Sequence, residues 1–226
     1  MTWPCKHGEH PPGRHDLVFV SPAGWRAMLD ARDDLAAVSL LARWPKMRWP
    51  TIRRRALPCE AGGLALGLPL PPSAGKKRIC LMVDIDHVAS VARPPLLRQA
   101  RAYAPRNWWP TLDRLDRLAL RHAVDARVFG SLAWQSLTGL DYVTGRSDLD
   151  VLFEFQGETD IDRFVAEVAA VETGAPMRLD GELMGADGAA VNWREFHGGA
   201  GELLVKSIER VVLLGRQQFI SRARGS

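Results

Sequence analysis

The chain of 226 residues is poor in cysteine and tyrosine and has no long apolar run. Its three cysteines, Cys5, Cys59 and Cys80, are odd in number and widely spaced, and no Cys-x-x-Cys pair occurs. That excludes a secreted disulfide framework. Cys5, His7 and His10 lie close together, but no second pair of ligands follows at zinc spacing, so they read as an incidental cluster. No stretch approaches the ~20 apolar residues of a spanning helix, and the opening MTWPCKHGEH has no apolar signal core. A soluble, cytoplasmic protein with no membrane partner is expected. Charge imbalance is also missing. Thirty basic and twenty-six acidic residues leave +4, too little to announce a nucleic-acid partner, and no RNA-binding module is visible. With 46% hydrophobic and 25% charged residues, disorder and collagen-like or coiled-coil repeats are excluded.

What charge there is lies unevenly. Arg43 to Arg55 holds six basic residues and no acid, whereas Asp141 to Asp162 holds seven acids against Arg146 alone. A basic stretch and an acidic stretch in one chain suit an anionic substrate held against a metal site.

The local signals alternate between helix and strand, which predicts an α+β fold. Ser21-Pro22 opens a helix, and Trp25, Met28, Leu29, Leu35, Val38 and Leu41 extend it with helical period towards Trp44. Strands are expected over residues 51–55, 64–68 and 79–83, with the proline-rich 68–75 turning between the last two. Asp84-Ile85-Asp86 reads as a strand end or helix cap. The proline-rich stretch 93–110 marks a boundary or connecting segment. Beyond it, Thr111 is expected to cap a helix in which Asp113 and Arg117 pair. Short strands follow at 127–129 and 149–155, and Asp160 caps the next helix. Strands over 177–184 and 190–196 flank the turn Ala186-Asp187-Gly188, and an amphipathic helix is expected over 203–219.

The chemistry concentrates in VFGSLAWQSLTGLDYVTGRSDLDVLFEF, Val128 to Phe155. An apolar strand ends in Gly130-Ser131, a helix-forming segment and a turn-rich loop follow, and then comes Ser147-Asp148-Leu149-Asp150. Side chains alternate along a strand, so Asp148 and Asp150 share a face. Such carboxylates bind hard divalent cations, and two ions ~4 Å apart can clamp an in-line displacement at phosphorus. A Gly-Ser turn at a helix start offers N–H groups and a hydroxyl to phosphate oxygens. The pattern suits phosphoryl or nucleotidyl transfer.

This stretch resembles the nucleotidyltransferase superfamily that includes DNA polymerase β, in which apolar-Gly-Ser is followed by Asp-apolar-Asp on the next strand. The resemblance implies a polymerase-β-like mixed sheet with helices over 106–226 as catalytic domain, after a small α+β substrate or partner domain over 1–95. It also implies a third carboxylate from a later strand, with Asp180 the choice and Glu182 the alternative. Mg²⁺ would be held by Asp148, Asp150 and that acid.

A closer resemblance covers the whole chain. Arg14 to Val18, Arg53-Arg54, LALGLPLPPSAGKKR (64–78), the stretch above, LDGELMGADGAAVNWREF (179–196) and Leu204-Val205-Lys206 resemble the malonate decarboxylase holo-acyl-carrier-protein synthase family, the phosphoribosyl-dephospho-CoA transferases. The resemblance implies transfer of a phosphoribosyl-dephospho-CoA group from 2′-(5″-triphosphoribosyl)-3′-dephospho-CoA to a serine of the decarboxylase's acyl carrier protein. Pyrophosphate leaves. Gly130 and Ser131 would then bind the triphosphate of the donor, Ser147 would belong to the substrate site, and Arg53, Arg54, Lys76, Lys77 and Lys206 would meet the donor's phosphates. Trp108, Trp109 and Trp134 are candidates to stack on its adenine. The superfamily pattern by itself leaves open another nucleotidyltransferase, using a nucleoside triphosphate on a small molecule, RNA or protein.

Overall fold

A computed structural model describes residues 11–36, 38–155 and 159–223. The Cys5, His7 and His10 cluster lies outside them. The chain is mixed α+β and divides into two compact units, residues 1–93 and 94–226.

The N-terminal unit is built on five antiparallel strands. They are β1 (Leu17–Val20), β2 (Thr51–Arg53), β3 (Leu64–Pro69), β4 (Arg78–Val83) and β5 (Val88–Ala92), in the order β4-β3-β2-β1-β5. Ser21 caps helix α1 (Pro22–Asp30), its hydroxyl accepting from Gly24 N at 3.1 Å. The expected single helix to Trp44 is instead broken into α1, α2 (Asp33–Ala36), a 3-10 turn over Ser39–Ala42 and α3 (Arg43–Met47). Arg32 forks onto Asp34 at 2.7 and 2.8 Å. Asp33 and Asp34 favour a helix start over a helix interior, so a new helix begins there. Asp84 does act as a cap, accepting from Asp86 N at 2.9 Å at the head of a 3-10 turn.

In the C-terminal unit six strands form one sheet, ordered β11-β10-β9-β8-β7-β6. They are β6 (Val124–Val128), β7 (Leu149–Phe155), β8 (Leu179–Met184), β9 (Ala190–Asn192), β10 (Glu202–Lys206) and β11 (Val211–Gly215). β7 and β8 run parallel and the other neighbours antiparallel. The helices are α4 (Leu97–Ala100), α5 (Trp109–Arg121), α6 (Gly130–Thr138), α7 (Ile161–Glu172), α8 (Trp193–His197) and α9 (Arg216–Ala223). A parallel pair needs a crossover, and α7 supplies it, capped by Asp160 through Arg163 N at 3.1 Å. Alternate strand residues point to one core: Val151, Phe153, Leu183, Leu203 and Val205 are buried with Leu115 and Phe164. Phe164 meets Phe153 and Phe155 edge-on at 5.0 and 5.6 Å, a geometry that adds ~1 kcal/mol per pair beyond area burial.

Four local expectations are corrected in this unit. The helix expected over 203–219 is the hairpin β10–β11 followed by the shorter α9. Leu203 and Val205 are buried while Leu204 is exposed, which is strand alternation. Ser207 turns the chain by accepting from Arg210 N at 3.1 Å, and its own N–H donates to Arg210 O at 2.8 Å. The strand expected to Phe196 stops at Asn192, because Asn192 caps α8 through Arg194 N at 2.9 Å. α5 starts at Trp109 with Pro110 in its first turn, leaving Thr111 buried inside the helix instead of capping it. Asp113 takes Arg101 at 2.5 and 2.9 Å in place of an ion pair with Arg117, because a two-pronged guanidinium pairing outweighs a single helix-face pair.

Candidate active site

The strand carrying the acids is tied to the start of the helix before it. Phe129 N donates to Asp150 O at 3.1 Å, so β6 delivers Gly130 directly beside β7. Gly130 has φ +60° and opens α6. The Asp150 carboxylate lies against its α-carbon. A Cβ added there would fall inside the 3.0 Å that real Cβ atoms keep from Oδ2 and Cγ. Glycine is required twice over, for the left-handed backbone and for the contact. Ser131 follows in the first turn of α6, half-buried.

The second acid strand is set by register. Asp150 is the direct partner of Asp180 across the parallel β7–β8 pair, and Leu152 is the partner of Glu182. Asp180 and Glu182 therefore share the face of Asp150, with Glu182 one step further along the sheet. Asn192 on β9 donates from Nδ2 to Asp180 Oδ1 at 3.2 Å. Its Oδ1 meanwhile caps α8, so one side chain both ends a strand and orients an acid. Gly181 allows Trp193 to close on β8: a Cβ there would sit 2.8 Å from Trp193 Cδ1.

Arg194 lies behind the acids. It pairs with both Glu172 oxygens and donates to Leu179 O at 2.8 Å. Its pKa is raised by the Glu172 hydrogen bond first, against burial, with the charges of Asp180 and Asp148 adding to it. Burial works against ionisation of Glu172, but Arg194 and the Leu179 N–H win and hold it below the ordinary carboxylate range. Asp148 and Asp180 thus share one cationic neighbour.

Asp148 reaches the site through a clamped loop. Gln135 on α6 accepts from Tyr142 N at 3.0 Å and Val143 N at 2.9 Å, and donates to Tyr103 O at 2.6 Å. Ser147 Oγ accepts from Thr144 N at 2.9 Å and so closes the turn before Asp148. Leu149 N donates to Arg178 O at 2.9 Å, joining the starts of the two acid strands. Tyr142 is buried beside Trp134, ring centroids 6.2 Å apart, and burial pushes its phenol pKa up. Trp109 lies under Arg101 at 4.2 Å.

The remaining candidates lie on other elements. Lys206 ends β10, level with Ala190 and Met184. That row is four residues along β8 from Asp180, roughly 13 Å at strand rise. Arg53, Arg54, Lys76 and Lys77 belong to the N-terminal unit. Arg53 donates to Ala65 O at 2.9 Å and its pKa is lowered by burial, then by Arg54. Arg54 is committed to Glu60 and to Leu66 O at 2.9 Å. Lys76 and Lys77 are exposed at the β3–β4 turn, where Leu70 N donates to Lys77 O at 2.7 Å.

Asp148, Asp150 and Asp180 offer oxygen donors only, which suits a hard divalent cation. Among the described residues no three His, Cys, Asp or Glu side chains are grouped so that together they could hold a metal ion. An open set of one or two carboxylates is what Mg²⁺ uses when substrate phosphates complete its shell.

Comparison with known proteins decides the family. The phosphoribosyl-dephospho-CoA transferase MdcG C-terminal domain matches residues 96–217, and the N-terminal domain of the same family matches 13–94. The chain belongs to the phosphoribosyl-dephospho-CoA transferase family. It is 88% identical over 226 residues to a phosphoribosyl-dephospho-CoA transferase of Bradyrhizobium diazoefficiens, covering 100% of both chains. A namesake from Xanthomonas axonopodis pv. citri is 39% identical over 206 residues, 90% of this chain and 94% of that one. No solved structure matches. The chain is therefore a transferase. No helix among its described residues is long and apolar enough to cross a membrane.

Sequence reasoning missed Gln135, Asn192, Glu172 and Arg194. Asn192 carried a usable signal, since Asn is a strong N-cap, but it was absorbed into an expected strand.

Proposed function

We propose that the protein transfers the phosphoribosyl-dephospho-CoA group from 2′-(5″-triphosphoribosyl)-3′-dephospho-CoA to a serine of the malonate decarboxylase acyl carrier protein, in the cytoplasm. The observation that carries this reading is the Asp150 carboxylate seated on Gly130 at the head of α6, with Asp180 in register beside it. Family membership supplies the group transferred.

The serine oxygen attacks the α-phosphorus of the donor. One P–O bond forms, the bond to the departing pyrophosphate breaks, and a phosphodiester results. Gly130 and Ser131 receive the triphosphate, where N–H groups at the start of α6 meet anionic oxygens. One or two carboxylates of Asp148, Asp150 and Asp180, with the donor's phosphates completing the shell, would hold Mg²⁺, which when bound neutralises charge building on the phosphoryl oxygens. A carboxylate of this set takes the serine proton as the hydroxyl attacks. Asn192 keeps Asp180 oriented beside Asp150, and Arg194 limits the repulsion between Asp180 and Asp148.

The test mixes protein, Mg²⁺, the triphosphoribosyl donor and apo acyl carrier subunit and weighs the carrier by intact mass spectrometry. The carrier gains one phosphoribosyl-dephospho-CoA with wild type and none with Asp148→Asn. Labelling of another acceptor from ATP, with the carrier unchanged, would replace this reading with a general nucleotidyltransferase.

A further inference from the structure

A cavity of about 460 Å³ opens beside Asp148 in the C-terminal unit. Trp108 and Met177 form apolar wall, and Arg146 and Arg178 stand at Asp148 from the two loops that lead into β7 and β8. Its volume lies in the range of small-molecule sites, and its lining is mixed: Asn107, Thr144, Ser147 and Asp148 join the arginines opposite the apolar wall. Both arginines are exposed, and neither is held in an ion pair among the described residues. Neither Gly130 nor Ser131 lines it. The site thus has two sides, the head of α6 at Asp150 and this chamber at Asp148.

We propose that the chamber binds the part of the donor that stays with the product, the adenosine diphosphate portion of 3′-dephospho-CoA. This rests on the transfer reading above. In an in-line displacement the leaving group and the retained group lie on different substituents of the reacting phosphorus. With the departing pyrophosphate at the head of α6, the retained group needs a separate pocket that also reaches the carboxylates. The cavity at Asp148 meets that requirement. Arg146 and Arg178 match the diphosphate of the coenzyme, where guanidinium groups give strong charge-assisted hydrogen bonds. Trp108 and Met177 offer apolar surface to the adenosine. The arginines act here as binding residues with no part in bond making.

The experiment measures binding and turnover in the full chain. 3′-Dephospho-CoA and, separately, inorganic tripolyphosphate are titrated calorimetrically into wild type, Arg146→Ala, Arg178→Ala and the double variant. Each single variant should lose about tenfold in 3′-dephospho-CoA affinity, with tripolyphosphate affinity unchanged. In the transfer assay, KM for the donor should rise while kcat stays within about twofold, as for lost uniform binding. Unchanged 3′-dephospho-CoA affinity in the double variant, or loss confined to tripolyphosphate, overturns the assignment. So does a wild type that transfers the group yet does not bind 3′-dephospho-CoA. Failure of wild type to modify the carrier, with arginine-dependent 3′-dephospho-CoA binding intact, removes the transfer reading and leaves the chamber as a coenzyme site.

Discussion

The carboxylate of Asp150 rests on the α-carbon of Gly130, twenty residues earlier in the chain, and Phe129 N donates to Asp150 O to hold the two together. Glycine, helix start and acid are one unit, so a methyl group at position 130 displaces the acid. Gly130→Ala should lower turnover by at least ~100-fold, in line with the removal of a positioned electrostatic group. The left-handed φ should add a cost of order 1 kcal/mol in stability. Carrier mass spectrometry and thermal denaturation measure the two effects. A fully active Gly130→Ala enzyme would show that the contact is not needed.

Asp148→Asn and Asp150→Asn should each abolish carrier modification, by ~10³-fold or more if they hold the metal. Circular dichroism should match wild type, since neither side chain lies in the apolar core. Asp180→Asn should be nearly as severe and Glu182→Gln clearly milder, because only Asp180 is level with Asp150. Chelation of divalent ions should stop turnover reversibly. Severe loss in Glu182→Gln with an active Asp180→Asn would exchange the two acids' roles.

Asn192→Asp separates the two tasks of that side chain. Aspartate keeps an oxygen for Arg194 N but offers no N–H to Asp180 and adds a like charge. Stability should stay within about 1 kcal/mol of wild type, and kcat should fall at least ~10-fold. An unchanged kcat would deny Asn192 its hold on the reacting acids.

Gln135 clamps the loop that ends in Asp148. Gln135→Ala leaves two backbone N–H groups and one carbonyl without this partner and should cost about 1–3 kcal/mol. Gln135→Glu keeps the two acceptor bonds and should recover most of the activity. Equal loss in both variants would place the weight on the Tyr103 bond.

Glu60 gives the N-terminal unit a stability term that vanishes in acid. Its hydrogen bond from Arg54, then one from Leu57 N at 2.8 Å, hold its pKa at about 2 against an ordinary 4.5. A lowered folded-state pKa stabilises above the unfolded value and loses that contribution as pH falls through the folded one. Thermal midpoints should therefore drop between pH 4.5 and 2, and the drop should be smaller in Glu60→Gln. Parallel profiles for the two proteins would show that the pair carries no pH-dependent stability.

The sequence by itself determined the parts whose physics is local. The bounds of β7, Leu149–Phe155, follow from a run of apolar and alternating residues. Asp160 and Ser21 announce helix starts because their oxygens can accept nearby N–H groups. The period of a strand turns Asp150 away from the core, whereas Asp148 lies just before β7 and is placed by the loop that Ser147 closes; the spread of family segments along the chain identified its relatives. Tertiary structure decided whatever depends on partners far apart in the chain. The stretch 203–219 is apolar enough for helix or strand, and the turn at Ser207 with five residue pairs between β10 and β11 made it a hairpin. Which acid stands opposite Asp150 was settled by parallel register, because a two-residue shift would have put Glu182 there while keeping the same face. Gln135, Arg194 and Glu172 became site residues only when loops and helices crossed, since a hydrogen bond between distant segments leaves no periodicity to read.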